Sequence, residues 1–376
     1  MKLQVLQENL NKALSFASRF ASPKAQLPVL GNILLSAKKT KLVVSATNLE
    51  VSISVALGAQ IKAEGDLTIP SRTITDIVSN LPPSTISLES EKENLQIISS
   101  GFSSKLAGMN ASDFPSIPTA IPKEGSIALP GQDFLDSLSQ VSFSVSADET
   151  RPILTGVLFI FDKESLSMVA TDGFRLSQKR VKLDASVKVK KLVLPKAALS
   201  ELSRIAENEE DLQFCFKEKE NQVLFAVSNV VLSSRILEGE YPPYERIIPK
   251  SSSIKIRADK EELLRAVKLA SVFARDSANV VKIVLEKDAL QISAESSSSG
   301  SQKTQVEANI ESSEALAKED EGFEIAFNYR FLEDFLKAVK GEEINMGFND
   351  PNSPGVFTDP KDPDYLHLIM PVKIQG

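Results

Sequence analysis

Residues able to do covalent or metal chemistry are few in this chain. His367 is the only histidine and Cys215 the only cysteine among 376 residues. Zinc sites draw three or four ligands mostly from those two types, so zinc chemistry is set aside. A Ser-His-Asp triad would have to use His367, which sits in the strand-like run YLHLIM at 365–370. The plainer reading is an ordinary strand residue facing solvent or a neighbouring strand. Neither Gly-x-x-x-x-Gly-Lys-Ser/Thr nor Gly-x-Gly-x-x-Gly occurs, so no phosphate cradle is present as a motif. Adjacent carboxylates such as Glu209 with Glu210, or Glu261 with Glu262, lack the fixed separation that acid–base work requires. They read as solvated faces. No catalytic residue, metal site or cofactor is assigned.

Composition limits what could position such residues. A chain of this length holds two or three domains, and 42% hydrophobic with 25% charged residues is an ordinary globular balance. No unbroken apolar run exceeds five residues, as at 157–161, whereas a membrane-spanning helix needs about 20. The opening MKLQV lacks the basic and then apolar blocks of a signal peptide. With a lone cysteine and no disulfide, the reading is a cytoplasmic protein without membrane contact. Net charge is −7, so any nucleic-acid partner must be held by a local basic surface.

Repetition is the informative feature. Ile33, Leu35 and Ala37, then Leu42, Val44 and Ala46, alternate with polar residues as two strands would. The same pattern returns at Val157, Phe159, Phe161, Leu166, Met168 and Ala170, and again at Val281, Ile283, Leu285, Leu290, Ile292 and Ala294. Each position is offset by 124 from its counterpart. Turns are expected at 38–40, 162–165 and 286–288. A helix-period segment precedes each pair of strands, marked by Leu10, Leu14 and Ala17, by Leu135, Leu138 and Val141, and by Leu263, Val267 and Ala270. Asp133 and Asp259 are expected as N-caps of the later two. A second helix follows each pair, around Ile74 to Leu81, Leu199 to Ile205 and Phe331 to Val339. Proline-rich stretches at 114–122 and 241–251 separate the copies. The expectation is an α+β fold of three tandem sheet-plus-two-helices units, bounded at 1–122, 123–250 and 251–376, each around its own core. Repeated strand edges favour an arc or ring.

Four further runs carry a resemblance: LPVLGN at 27–32, ATDGFRL at 170–176, YPPYERIIP at 241–249 and LIMPVKI at 368–374. In this order, on this repeat, the chain resembles the bacterial DNA sliding clamp family, the β subunit and processivity factor of DNA polymerase III. The resemblance covers essentially the whole length. It implies the DNA clamp fold, with a head-to-tail homodimer closing a ring around duplex DNA. Helices would line the hole, and binding would be sequence-independent. The clamp performs no reaction; a clamp loader opens it with ATP. It tethers the polymerase III catalytic subunit, and it receives other polymerases and repair proteins that carry clamp-binding peptides. It would be cytoplasmic and associated with the nucleoid during replication.

Phosphate attraction needs Lys and Arg on the lining helices. Arg265, Lys268 and Arg275 share one helix face, as do Lys12 with Arg19, and Arg330 with Lys337 and Lys340. The resemblance adds Lys24, Arg72, Arg151 and Lys196. The competing reading of each is a mixed-charge solvated face. The resemblance also implies a groove for partner peptides, made by Leu154, Thr171, Gly173, Phe174, Arg175, Leu176, Pro242, Arg246 and Ile247, with Met370, Pro371 and Val372 from the chain end. Apolar walls would supply burial, with Arg175 and Arg246 orienting polar groups at the rim. The competing reading of Leu154, Leu176 and Met370 is core. Phe174 stands where the family often carries histidine, which implies a more apolar wall, and Gln375 and Gly376 extend past the usual end. The dimer contact would use Leu106 on one side, Val272 and Phe273 on the other. Two alternatives are a scaffold built of the same repeats that does not bind DNA, and a hydrolase with carboxylates in a cleft.

Overall fold

A computed structural model describes residues 1–22, 27–207, 209–312 and 323–373 of the chain. Six α-helices occur among the described residues, one at each stretch with a period of three to four: α1 (Gln7–Ala17), α2 (Ser71–Asn80), α3 (Gly131–Ser142), α4 (Lys196–Ile205), α5 (Lys260–Ala274) and α6 (Tyr329–Ala338). In α1 the buried residues are Gln7, Leu10, Ala13, Leu14 and Ala17; in α4 they are Ala198, Leu199, Leu202 and Ile205. Both sets form the single stripe that a half-buried helix requires. Asp259 caps α5 as expected, its Oδ1 accepting the Glu262 N–H at 2.8 Å. Asp133 does not cap α3, which begins two residues earlier at Gly131. A Cβ at Gly131 would lie 2.6 Å from the Glu210 carbonyl oxygen, so the strand 211–217 is packed directly on the helix start. Asp133 therefore lies in the first turn, where a carboxylate favours the positive end of the helix dipole.

The chain divides into two compact bodies. The first comprises Met1–Gln132 and Ala197–Ile236. It holds an antiparallel five-stranded sheet in the order Gln60–Ala63, Lys2–Leu6, Thr85–Glu91, Asn94–Ser99, Phe102–Ala107. Its eight-stranded sheet runs Ser126–Pro130, Asp211–Lys217, Gln222–Val227, Val230–Arg235, Val51–Gly58, Lys41–Thr47, Asn32–Lys38, Gly65–Pro70. The second body comprises Asp133–Lys196 and Leu237–Gly376. Its ten-stranded sheet runs Gly156–Thr171, Arg175–Pro195, Asp362–Ile369, Gly355–Asp359, Glu343–Phe348, Ile254–Asp259, Gly300–Ser312, Ala289–Ser296, Val280–Leu285, Glu324–Asn328. Helices α5 and α6 pack together over its core, where Phe327, Phe335, Phe348 and Phe357 meet edge-on or tilted.

The sheets cross the borders expected at 122/123 and 250/251. Val55 pairs with Val230 and Val51 with Ser234, while Arg175 pairs with Ile369 and Ser177 with His367. Open strand edges carry unpaired backbone groups, and at these two seams the edges of neighbouring copies satisfy each other. The hairpin turns at 38–40 and 286–288 fall where expected, Lys38 pairing with Lys41 and Leu285 with Leu290, whereas at 162–165 the strand Gly156–Thr171 runs on with its register breaking around Lys163. Lys39 and Lys163 both take positive φ, 55° and 45°.

Candidate functional site

The run 171–176 folds into a tight turn in the second body, written by two short polar side chains. Thr171 Oγ1 donates to the Arg175 carbonyl at 2.6 Å and accepts the Gly173 N–H at 3.1 Å. Asp172 Oδ1 accepts the N–H groups of Phe174 and Arg175 at 2.9 and 3.0 Å. This is the Asx-turn chemistry of such residues. Gly173 takes φ +94°, a region that favours glycine. The turn throws Phe174 outward, 61% exposed, and the Phe174 carbonyl accepts the Met370 N–H at 2.8 Å. Met370 thereby stands beside Phe174 at the end of Asp362–Ile369. The tail is tied again two residues on, where Val372 N–H donates to the Ala326 carbonyl at 2.8 Å. Met370, Pro371 and Val372 are half-buried.

Behind this surface lies a small apolar cluster of Leu158, Val169, Leu176, Val193, Tyr244 and Leu368. Ile153, Leu237, Tyr241 and Ile248 pack against it, half-buried. Tyr241 and Tyr244 meet edge-on at 6.5 Å between ring centres, and the Tyr241 hydroxyl donates to the Val169 carbonyl at 3.4 Å. Burial raises both phenols, Tyr244 to about 12, so both remain neutral. Pro242, Arg246 and Ile247 are exposed on the turn around Tyr244–Ile247.

Several expected groove residues lie deeper than a contact surface would place them, as the core reading of Leu154 and Leu176 has it. Leu176 is fully enclosed and Leu154 nearly so, making them floor and core rather than contact surface. Ile153, one position earlier, presents itself to the cluster instead. Arg175 is not at the rim. Its guanidinium donates to Asp172 Oδ2 at 3.1 Å, Asp334 Oδ2 at 2.6 Å and the Phe143 carbonyl at 2.7 Å. It also lies 4.5 Å from the Phe331 ring centre and 5.4 Å from that of Phe143. These contacts are made within the body, so it braces the turn against α6. Met370→Ala should accordingly weaken binding of an apolar peptide at least ~10-fold with under about 1.5 kcal/mol lost in urea unfolding, whereas Leu176→Ala should cost about 2–5 kcal/mol by opening a cavity. Fluorescence anisotropy and urea titration of both variants measure this split.

His367 faces away from solvent and onto the neighbouring strand that carries Ser177; it is fully buried, its ring 5.3 Å from Phe335 and nearly parallel to it. Ser177 Oγ lies 2.7 Å from Nδ1, and Ser144 Oγ 2.7 Å from Ser177 Oγ. A Ser-His contact thus exists, but both residues are sealed from substrate. Burial, reinforced by the charge of Arg175, pushes the imidazole down to about 3, a poor proton acceptor at neutral pH. The Ser-His-Asp reading finds no support there.

The basic residues divide by their partners. Arg19 faces Glu201 at 3.6 Å, Arg72 faces Asp76 at 3.7 Å, Arg151 faces Asp148 at 3.2 Å and Lys337 faces Glu333 at 2.8 Å. Lys340 pairs with Asp136, and Lys12 lies 5.9 Å from the Phe16 ring centre. Arg330 lies against Tyr329. Arg265 and Lys268 on α5, Arg275 just past its end, and Lys196 are exposed and have no ion-pair partner among the described residues. Lys24 lies outside the described residues, as do Gln375 and Gly376. Of the expected dimer residues, Val272 is 56% exposed, Phe273 is half-buried against the core, and Leu106 is buried on its own sheet. Leu106 pairs with Leu95 across the strands, and Ile98 is the more open apolar residue there.

Comparison with known proteins covers the chain end to end. Family models for the DNA polymerase III beta subunit match in order, the N-terminal domain at residues 1–118, the central domain at 128–243 and the C-terminal domain at 245–373. The beta sliding clamp of Staphylococcus aureus is 30% identical, with 99% of each chain covered. Among solved structures, the DNA polymerase sliding clamp of Bacillus subtilis superposes with a TM-score of 0.93 at 28% identity, and the DNA polymerase III beta subunit of Thermotoga maritima with 0.89 at 26%. Both matches cover 100% of each chain.

Proposed function

The chain belongs to the DNA polymerase III beta subunit family, and from that premise we infer that it works as a processivity clamp, a non-catalytic subunit that encircles duplex DNA and tethers the polymerase. The observation that carries this is the ordered match of three domain models along one chain. On this reading the three units run 1–122, 123–250 and 251–376.

Closure needs a second copy. The edge strand Phe102–Ala107 and the 300–307 half of Gly300–Ser312 each keep one side without a partner strand among the described residues. Pairing one edge with the other in a second copy is heterologous, and two such contacts close a head-to-tail ring. Ile98 and Val272 are the exposed apolar residues available beside these edges, joined by Phe273. The bore would be lined by helices, with Arg265, Lys268 and Arg275 supplying the least encumbered positive charge. A chain of net charge −7 with a local basic face attracts DNA to that face and repels it elsewhere. Weak phosphate contact suits a ring that must slide.

The surface formed by Phe174, Met370, Pro371, Pro242, Arg246 and Ile247 is the docking groove for partner peptides, with Leu176, Tyr241 and Tyr244 beneath it. The polymerase III catalytic subunit, the clamp loader and other polymerases and repair proteins would engage it. No described helix is long and apolar enough to cross a membrane. We place the chain in the cytoplasm, at the nucleoid during replication.

Enclosure makes a prediction that affinity cannot imitate. Loaded onto a nicked circular plasmid with loader and ATP, the protein should co-elute with the DNA through gel filtration. Cutting the circle once should release nearly all of it. Equal retention on circular and linear DNA would overturn the reading and favour a scaffold that binds the surface of DNA, or none.

A further inference from the structure

The turn at 171–175 has a twin in the first body that the expected function does not use. The twin lies 124 positions earlier, as the repeat requires. Thr47 Oγ1 donates to the Val51 carbonyl at 3.0 Å and accepts the Leu49 N–H at 3.0 Å. Asn48 Oδ1 accepts the N–H groups of Glu50 and Val51 at 3.1 and 2.8 Å. The Glu50 carbonyl accepts the Arg235 N–H at 2.9 Å, as Phe174 accepts from Met370. The five hydrogen bonds that form the turn and tie it to the neighbouring chain recur in the other.

Beside this twin lies an open cleft of about 630 Å³, walled by Leu49, Ile117 and Pro118 and reached by Arg235, Lys217 and Gln222. That volume is within the usual range for ligand sites, about 300–1,000 Å³. The strap 114–118 forms one side; Phe114 anchors it in an apolar cluster with Val29 and Leu30, and Ser54 Oγ donates to the Pro118 carbonyl at 2.9 Å. The floor is where the two surfaces differ. Leu176 faces Leu368 across the strand pair in one, whereas Ser52 faces Ser233 in the other, their hydroxyls 2.7 Å apart. Gln222 Nε2 donates to Ser233 Oγ at 3.1 Å and continues this polar floor. Leu49 holds a strained φ of +78° where its counterpart is glycine, and it is 50% exposed. Strain of that kind places an apolar knob over a hydroxyl floor. Arg235 is exposed and has no ion-pair partner among the described residues.

We propose that the cleft at Leu49 and Arg235 is a second peptide-docking groove, with the opposite preference from the first. It takes an extended segment that carries an amide side chain for the Ser52–Ser233 floor, one aliphatic side chain against Leu49 and Ile117, and a carboxylate for Arg235. Hydroxyl groups with spare donor and acceptor capacity select an Asn- or Gln-type group, and an unpaired guanidinium selects an acid. The proposal rests on the reading of the 171–175 surface as a peptide groove. A polymerase or loader subunit carrying one apolar and one polar-acidic segment could then hold the ring at two points, gaining avidity without a stronger single contact.

Methyl NMR on the full-length protein, labelled at leucine and methionine methyls, separates the two grooves. Leu49 reports on the new one and Met370 on the other. The polar probe is acetyl-Gly-Asn-Leu-Asp-Gly-amide and the apolar probe acetyl-Gly-Leu-Leu-Phe-Gly-amide. The polar probe should shift the Leu49 methyls at sub-millimolar to millimolar concentration and leave Met370 in place. Arg235→Glu, at an exposed position, should weaken that binding at least ~10-fold without moving the urea midpoint. Leu49 signals unmoved by millimolar polar probe, or an affinity indifferent to Arg235→Glu, would overturn the proposal. Failure of the apolar probe to shift Met370 would instead count against the first groove, whatever Leu49 does.

Discussion

At pH 4.5 the protein should be less stable to urea than at pH 7.5 by about 3 kcal/mol on account of His367 alone, at 1.36 kcal/mol for each pH unit spent below the unfolded pKa. The ring is enclosed by Phe143, Phe335 and Phe357. Its Nδ1 meets Ser177, and its Nε2 finds no partner among the described residues. Protonation would put a charge into that enclosure next to the Arg175 guanidinium, so burial and then Arg175 depress the folded pKa to about 3. In the unfolded chain the value is about 6.5. Between those values the unfolded state binds more protons, so stability is lost as pH falls from about 6.5 and the loss is complete below about 3. Above pH 6.5 His367 is neutral in both states and contributes no slope. Carboxylates with lowered values, Asp148 and Asp350 among them, titrate in a more acidic window and are common to wild type and variant. Urea midpoints of wild type and His367→Gln at pH 7.5, 5.5 and 4.5 isolate the histidine. The variant should lack most of the slope between 6.5 and 4.5; parallel pH profiles would rule this account out.

How much of this was legible beforehand depended on how local the determining interaction was. All six helices lie where apolar residues recur at helical spacing, because a stripe facing a sheet is written within one element. The 124-residue offset exposed the repeat for the same reason. Asp259 was a readable cap, but Asp133 was not, because the start of α3 is set by contact of Gly131 with Glu209 and Glu210, some 80 residues away. The sheets that cross the unit borders were anticipated only as open edges. The twin of the site turn was present as Ala46, Thr47, Asn48 against Ala170, Thr171, Asp172. Leu49 in place of glycine, with Ser52 for leucine, concealed it until the hydrogen bonds could be matched. Burial of Leu176 followed from its type; the inward turn of Arg175 did not, since its partner Asp334 is 159 positions distant.

Arg175→Met should be the most damaging single substitution in the second body, costing about 3–5 kcal/mol, the usual penalty for removing one member of a buried charged pair. The Arg175 side chain is only 11% exposed and holds two carboxylates, one carbonyl and the faces of two aromatic rings. Methionine fills much of the volume but leaves Asp172 and the Phe143 carbonyl without their donor. Asp172 also organises the turn that presents Phe174, so the loss reaches the docking surface through the backbone. Asp334→Asn should cost much less, because that carboxylate is 38% exposed and can be satisfied by water. Arg175→Lys should fall between them, since a single ammonium cannot reproduce the planar fork or its stacking. The two roles considered for Arg175 predict opposite partitions. A residue orienting a peptide at the rim would, when replaced, lower peptide affinity and leave the urea midpoint near wild type. A brace lowers the midpoint sharply, and peptide affinity measured under conditions where the variant is folded falls only as far as Phe174 is displaced. Urea titration alongside anisotropy with the apolar peptide, across Met, Lys and the Asp334→Asn control, decides between them.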